Sequence, residues 1–313
     1  MKNNEPIICI TGACNQKCLF CSNPEIDATL AFDEVVNLLK LYSSYNYEGV
    51  VLTGGEPTLH SDLFKIIAAA ARMGLQVKLI TNAQRTAEAA FFDELVSSGL
   101  SSLIISLYSH KPEIQNYLSG NPDSFRNIQA TLENTLDSKI NITIAITINA
   151  SNADHLHTTV ERVAGRYPQV IHYVFNNLDP LMNRATLNPH TIPELHKFEL
   201  SLFYAMTFLR EQNITFRVER VPLCYMGEFA SCSSETRNII KREERSIFFL
   251  DSKGLVRQQE FLWSKAECCN YCFLSSICAG LFAMDNPYDK SELYALFLDP
   301  SSIENEVLNG ISD

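Results

Sequence analysis

The chain has 313 residues, of which 46% are hydrophobic and 19% charged, so it has enough apolar sequence for a large core and too little charge for long disorder. Its net charge of −11 disfavours nucleic acid as a partner, because an acidic surface repels the phosphate backbone. No apolar run reaches membrane-spanning length and the first residues lack a signal-peptide pattern, which predicts a cytoplasmic protein without a membrane partner.

The first two-thirds of the chain alternate β-like runs with helical patterns. Runs rich in Val, Ile or Thr, or continuously apolar, predict strands at residues 6–11, 49–53, 76–81, 102–107, 139–149 and 170–175. Apolar residues at helical spacing predict helices at residues 32–41, 62–73, 86–96, 124–136 and 154–164. Strand–helix alternation implies parallel strands with right-handed crossovers. Six such units predict an α/β fold, a partial (β/α)6 TIM-like barrel.

The alternation stops after a further helix at residues 195–210 and a strand at residues 214–218. We predict a domain boundary near residue 220, which separates a barrel of residues 1–220 from a small domain of residues 221–313. Within the second domain, residues 246–250 and 255–259 predict a hairpin. The tail from Pro300 is expected to be solvated, and His155 and His157 to lie on the surface.

Ten cysteines in a reducing compartment point to metal binding or thiol chemistry and away from disulfides. Cys14, Cys18 and Cys21 form C-x3-C-x2-C directly after the first strand. Three thiolates on a four-iron cluster leave one iron open, whereas a structural zinc site needs a fourth ligand. The nearest candidate, Cys9, lies within the apolar strand and is expected to be a core thiol. An iron–sulfur cluster is preferred, and zinc or unrelated thiols are the alternatives.

The segment TGACNQKCLFCSNP resembles the signature of the radical S-adenosylmethionine (SAM) superfamily, and GGEP (54–57) follows the second strand where that superfamily has its GGE motif. The resemblance implies a [4Fe-4S] cluster on Cys14, Cys18 and Cys21, with SAM on the fourth iron. It also implies that Phe20 and the Gly54, Gly55, Glu56 and Pro57 segment bind SAM. Reductive cleavage of SAM would then give a 5′-deoxyadenosyl radical that abstracts a substrate hydrogen.

Polar residues at the ends of later strands are further candidates for SAM contacts. Asn82 follows the third strand, Ser106 ends the fourth and Asn149 ends the fifth. In barrels of this kind, functional groups gather at the carboxyl ends of the strands. The alternative for each residue is a helix cap, since Asn and Ser are common there.

The C-terminal segment KAECCNYCFLSSICAG contains Cys269, Cys272 and Cys278 and resembles the auxiliary-cluster region called SPASM or twitch. Cys224 is the predicted fourth ligand, and four thiolates would complete one auxiliary [4Fe-4S] cluster. Phe282 stands where a full SPASM pattern would continue with cysteine, so a twitch-like domain is preferred. Zinc is the alternative, because C-x2-C pairs also form zinc ribbons.

Two cysteines of this region remain unassigned. Cys232 and Cys268 are candidates for a spare ligand or for a hydrogen-atom donor that quenches a substrate radical. An inert thiol is the preferred interpretation for Cys232, whereas Cys268 competes with Cys269 as the cluster ligand.

Family resemblance favours modification of a ribosomally made peptide by crosslinking or epimerisation. The alternatives are a small-molecule dehydrogenase or cyclase in cofactor or antibiotic biosynthesis and, more remotely, a non-catalytic metal-binding or redox-sensing protein. The expected partners are the peptide or small-molecule substrate, a reductant such as flavodoxin or ferredoxin, and a separate leader-binding protein, because no peptide-binding domain precedes the first strand.

Overall fold

A computed structural model describes residues 5–21, 23, 25–181 and 183–310. These residues form a nine-stranded sheet in the order β7-β6-β5-β4-β3-β2-β1-β8-β9. The strands are β1 (Ile7–Thr11), β2 (Gly49–Gly54), β3 (Gln76–Thr81), β4 (Leu100–Ser106), β5 (Asn141–Ile148), β6 (Val170–Asn177), β7 (Thr215–Glu219), β8 (Arg245–Phe248) and β9 (Leu255–Gln258). All neighbouring pairs are parallel except β8 and β9. The predicted partial barrel is confirmed.

Helices follow the strands and cover the outer face of the sheet. They are α1 (Phe32–Ser44), α2 (Leu63–Arg72), α3 (Ala89–Ser97), α4 (Pro112–Ser119), α5 (Ser124–Asn134), α6 (Leu156–Arg166), α7 (Asn183–Leu187), α8 (Leu195–Glu211), α9 (Ser234–Lys241) and α10 (Pro300–Leu308). One continuous core joins sheet and helices, with Leu39, Ile66, Leu95 and Leu202 buried on their inner faces. The apolar stripes seen in the sequence therefore mark the core faces. No described helix combines the length and apolarity that crossing a bilayer requires.

The C-terminal hairpin extends the main sheet. β8 and β9 pair antiparallel as predicted, and β8 also pairs in parallel with β1, with Ile7 opposite Ile247 and Ile8 opposite Phe248. The sequence pattern predicted the hairpin but not its long-range partner. Residues beyond 220 thus contribute two strands to the barrel sheet, and α9 lies between β7 and β8 in the chain.

Two surface predictions were wrong. The tail from Pro300 forms α10, in which Asp299 accepts a hydrogen bond from the Ser301 N–H, and Ile303 and Val307 are buried. His155 is also buried, and its Nε2 lies 2.8 Å from Ser109 Oγ. The spacing argument failed for this histidine because it precedes α6 as the N-cap, so its side chain does not follow the helical periodicity.

Candidate functional site

A cavity of about 460 Å³ lies at the carboxyl ends of the parallel strands. The thiols of Cys14, Cys18 and Cys21 line it, together with Gly54 and Gly55. β1 and β2 end side by side, so the cysteine loop and the glycine pair meet at the same edge of the sheet. The carboxyl edge of a parallel barrel is where functional groups converge, and here the sequence-predicted thiols lie within it.

Close backbone packing joins the cysteine loop to the glycine pair. The Gly55 N–H donates to Thr11 O at 2.8 Å, and the Glu56 N–H donates to Ala13 O at 2.8 Å. A Cβ on Gly55 would lie 2.4 Å from both the Gly12 and the Ala13 carbonyl oxygens. Gly54 has φ of +142°, a conformation that favours glycine. The glycine pair therefore allows the thiol-bearing loop to approach β2.

Glu56, which follows β2, forms hydrogen bonds to the end of β3 beneath the cavity. Its buried carboxylate accepts hydrogen bonds from Thr58 N and Oγ1, from Thr81 Oγ1 at 2.7 Å and from Asn82 N at 2.7 Å. Burial raises the pKa of Glu56, although these four donors stabilise the ionised form. Because every donor belongs to the protein, the side chain of Glu56 positions the end of β3 within this structure.

The side chains of Gln16, Asn82 and Tyr108 contact the thiols, and Cys18 Sγ donates to Gln16 Oε1 at 3.6 Å. The amide Nδ2 of Asn82 lies 3.8 Å from Cys14 Sγ, and the Tyr108 hydroxyl lies 3.6 Å from Cys18 Sγ. Burial raises the pKa of all three thiols, that of Cys18 to about 12. Hydrogen-bond donors beside sulfur suit thiolate ligands, since a metal centre holds its thiols deprotonated.

The loop after β6 closes over the cysteine loop. The Arg184 N–H donates to Cys21 O at 3.2 Å, and Asn188 Nδ2 donates to Leu19 O at 3.1 Å. The Arg184 guanidinium forms an ion pair with Glu25, and its positive charge opposes the rise in thiol pKa. α7 thereby fixes the far side of the loop that carries the thiols.

The predicted SAM-contact residues separate into two groups. Phe20, Asn82 and Ser106 line the cavity, and the Phe20 ring packs edge-on against Tyr108 with centroids 4.7 Å apart. The described lining includes neither Pro57 nor Asn149. Pro57 is buried at the start of a short 3-10 turn, and the Asn149 amide bonds to Thr147 O and to the Ser151 N–H. Asn149 therefore stabilises the turn after β5, and the N-cap of the next helix, α6, is His155.

Several lining residues were missed because they lie within strands or after them. Thr147, Asn176, Glu219 and Arg220 reach the cavity from β5, β6 and the end of β7. The available signal was the alternation along these strands, since polar residues two apart point to the same face of a sheet. Where a strand is continuously apolar because its outer face is also buried, the sequence does not show this alternation.

The C-terminal cysteines form a second group. Cys224, Cys269, Cys272 and Cys278 line one small cavity, and backbone N–H groups of Leu296 and Gly280 donate to Cys272 Sγ and Cys278 Sγ at 3.4 and 3.3 Å. Burial raises the pKa of Cys224 to about 12, and the neighbouring thiols add to the rise. The space is about 20 Å³, room for one water molecule, so a four-iron cluster would require the loop to open.

The two unassigned cysteines lie apart from this lining. Cys268 Sγ donates to Leu293 O at 3.5 Å, while Cys269 of the same turn lines the cavity. Cys232 is half-buried near Arg217 and Glu306. Across the described residues, no three His, Cys, Asp or Glu side chains lie close enough to hold a single metal ion. The cysteine triplet and the set of four C-terminal cysteines are therefore each identified by the cavity that they line.

Comparison with known proteins identifies the part of the chain that carries the cysteine triplet and the glycine pair. Residues 8–163 match the profile of the Radical SAM superfamily. This segment is a radical SAM domain. It contains the cysteine triplet and the glycine pair, and the superfamily implies a [4Fe-4S] cluster and SAM. Three thiols with sulfur-directed donors around one cavity fit such a cluster.

Relatives of the radical SAM domain act on different substrates. A probable GTP 3′,8-cyclase of Thermococcus kodakarensis is 31% identical over 117 residues, 36% of this chain and 38% of that protein. A PqqA peptide cyclase of Methylocella silvestris is 25% identical over 187 residues, 58% of this chain and 50% of that protein. The chain thus spans half or less of the length of these two relatives.

Solved structures show the same fold. That of anSMEcpe with bound AdoMet and Cp18Cys peptide superimposes with a TM-score of 0.67 at 14% identity, covering 97% of this chain and 95% of that one. The likeness therefore includes residues beyond the radical SAM domain. At this identity it establishes the architecture alone.

One buried carboxyl near the cavity predicts a pH-dependent stability. Glu235 of α9 accepts the Arg220 N–H at 3.1 Å, and burial together with the nearby Glu219 carboxylate raises the pKa of Glu235 to about 7. Between its ordinary pKa and 7 the folded chain holds a proton that the unfolded chain releases, so the free energy of unfolding falls as pH rises through this window.

Replacing Glu235 with glutamine (Glu235→Gln) keeps an acceptor for Arg220 and removes the titration. We expect the variant to gain about 3 kcal/mol relative to wild type between pH 5 and pH 8. Anaerobic urea unfolding at both pH values measures this difference. The exposed Glu161→Gln variant should show no such gain, and parallel pH profiles for Glu235→Gln and wild type would contradict the assignment.

Proposed function

We propose that the chain is a radical SAM enzyme that modifies a ribosomally made peptide and carries one auxiliary [4Fe-4S] cluster. The observation that carries the proposal is the convergence of Cys14, Cys18 and Cys21 with Gly54 and Gly55 on one cavity at the carboxyl ends of parallel strands. When bound, a reduced [4Fe-4S] cluster with SAM supplies a 5′-deoxyadenosyl radical that abstracts a hydrogen atom from substrate. A flavodoxin or ferredoxin would supply the electron.

The chain's own residues hold and shield this chemistry. Cys14, Cys18 and Cys21 would bind three irons, while Asn82 and Tyr108 donate hydrogen bonds to thiolates. Glu56 fixes the ends of β2 and β3, and the glycine pair, which lines the cavity, would bind SAM there. Phe20 and Tyr108 place apolar surface beside the thiols and exclude water from it.

A peptide substrate is supported by the cavity lining and by the relatives. The lining includes Asn176 and Arg220 as well as the cysteine triplet, so it offers a substrate polar groups besides the thiols. PqqA peptide cyclase and the peptide-bound anSMEcpe structure belong to the similar proteins. The auxiliary cluster would bind to Cys224, Cys269, Cys272 and Cys278, whose thiols share the second cavity.

A small-molecule substrate is the second candidate, because a probable GTP 3′,8-cyclase is among the similar proteins. We propose an anaerobic assay of the reconstituted chain with dithionite and SAM, in which 5′-deoxyadenosine is quantified with a pool of short peptides or with GTP. We expect 5′-deoxyadenosine in every arm and stimulation by peptides. Stimulation by GTP alone would favour the second candidate, and no 5′-deoxyadenosine from a cluster-loaded chain would refute the radical SAM activity.

A further inference from the structure

Arg220 occupies the point where the barrel leads into the cysteine-rich region. It follows β7 directly, and it lines the same cavity as the cysteine triplet. Its backbone has φ of +57°, a left-handed conformation that costs a non-glycine residue about 1 to 2 kcal/mol. The surrounding structure must therefore impose this conformation on Arg220.

Hydrogen bonds from α9 and β6 impose it, and a residue of the C-terminal region holds one of the two partners. The Arg220 N–H donates to Glu235 Oε1 of α9 at 3.1 Å, and the Arg220 carbonyl accepts from Asn177 Nδ2 of β6 at 3.3 Å. Asn177 is itself held, because the buried Tyr288 hydroxyl donates to its Oδ1 at 3.1 Å. The backbone of Arg220 is thus fixed from β6, from α9 and from the C-terminal region.

The guanidinium is held in the cavity wall. Its Nη1 donates to Asn176 Oδ1 at 2.6 Å, and its carbon lies 5.6 Å from the centroid of the Phe282 ring. A guanidinium has five N–H donors in a planar fork, so the bond to Asn176 leaves capacity for a bidentate acceptor. The planar fork matches a carboxylate, and a partly dehydrated cavity strengthens the pairing.

The other described cations of the cavity lining, Arg184 and Arg245, have carboxylate partners within the protein. Arg184 pairs with Glu25, and Arg245 lies 3.9 Å from Glu219. The carboxylate of Glu56 is bonded beneath the cavity floor. Among the described lining cations, Arg220 is the one for which the structure gives a neutral amide partner and an aromatic neighbour.

We propose that Arg220 is a specificity-determining residue that binds a carboxylate of the peptide substrate, an inference that rests on the proposed function. The carboxylate is an acidic side chain or the peptide C-terminus, and the fixed guanidinium would set how far the peptide enters the cavity. Anchoring one end of a substrate limits which hydrogen atom reaches the thiol-lined end of the cavity.

Three short peptides test the proposal by anaerobic titration calorimetry of the whole reconstituted chain without reductant. The probes are acetyl-Ala-Glu-Ala amide, acetyl-Ala-Ala-Ala acid and the neutral acetyl-Ala-Gln-Ala amide. We expect one acid peptide to bind at least about tenfold more tightly than the neutral peptide. Preference for the first indicates an acidic side chain, and preference for the second a C-terminal carboxylate.

Variants test whether Arg220 causes the preference for an acid peptide. Arg220→Gln should abolish it and Arg220→Lys should retain part of it, whereas the exposed Arg126→Gln, which removes an ion pair with Asp123, should leave it unchanged. Asn176→Asp should also reduce it, because its carboxylate would compete for the guanidinium, and this variant serves if Arg220→Gln fails to fold.

The proposal would be overturned if the three peptides bound equally or not at all. It would also be overturned if the preference for an acid peptide remained undiminished in Arg220→Gln or in Asn176→Asp. Because the titration needs no SAM cleavage, such a result would leave 5′-deoxyadenosine formation intact. Absence of 5′-deoxyadenosine would instead refute the proposed function, whatever the peptides bind.

Discussion

Simultaneous replacement of Cys14, Cys18 and Cys21 by alanine should abolish formation of 5′-deoxyadenosine and halve the iron bound. The three thiols line the larger cavity, whereas Cys224, Cys269, Cys272 and Cys278 line the other, so the two groups should load independently. With one [4Fe-4S] cluster in each, iron should fall from about eight to about four atoms per chain. Anaerobic reconstitution followed by iron and sulfide analysis measures this change.

The matched variant is Cys224→Ala. It should reduce the iron bound at the second cavity, while SAM cleavage at the larger cavity should remain measurable. Cys9→Ala is the control, because Cys9 is a buried thiol within β1 and its loss should cost only about 1 kcal/mol of stability. If the triple variant holds no iron, the auxiliary cluster is absent. If it keeps all its iron, the triplet is not a cluster site.

Gly55→Ala should prevent normal assembly of the triplet site while leaving the fold in place. The added Cβ would lie 2.4 Å from two carbonyl oxygens of the cysteine loop, and neither backbone atom is free to rotate away as a side chain would. The loop must shift, and a displacement of about 1 Å at a reacting centre can cost about 100-fold in rate. We expect at least that loss in 5′-deoxyadenosine formation and an altered absorption spectrum of the cluster.

Gly165→Ala is the control for this substitution. Gly165 lies within α6, a Cβ added there would meet no neighbouring heavy atom within 4 Å, and alanine should stabilise the helix by up to about 1 kcal/mol. Circular dichroism should show the same secondary structure for both variants. Normal iron content and activity in Gly55→Ala would show that the loop does not need the close approach.

The sequence was most informative where neighbours in the chain decide the structure. The sequence predicted β2 and β3 nearly to the residue. Residues 49–53 form an apolar run, as a strand buried on both faces requires, whereas residues 76–81 place Val77, Leu79 and Thr81 on one buried face. α4 was missed, because its short sequence PEIQNYLS has a weak apolar pattern. His155 was placed on the surface because its position before α6 cannot be recognised from spacing alone.

The cysteine triplet and the glycine pair are local motifs, and each can be recognised from residue types a few positions apart. The sequence by itself therefore determined the α/β class, the parallel barrel and the loop that carries the thiols. Only the tertiary structure decided that β8 joins β1, that Glu56 bonds to Thr81 and Asn82, and that Arg220 lines the same cavity as the thiols. The physical reason is distance along the chain: such contacts depend on how separate elements pack, and no local periodicity records that packing.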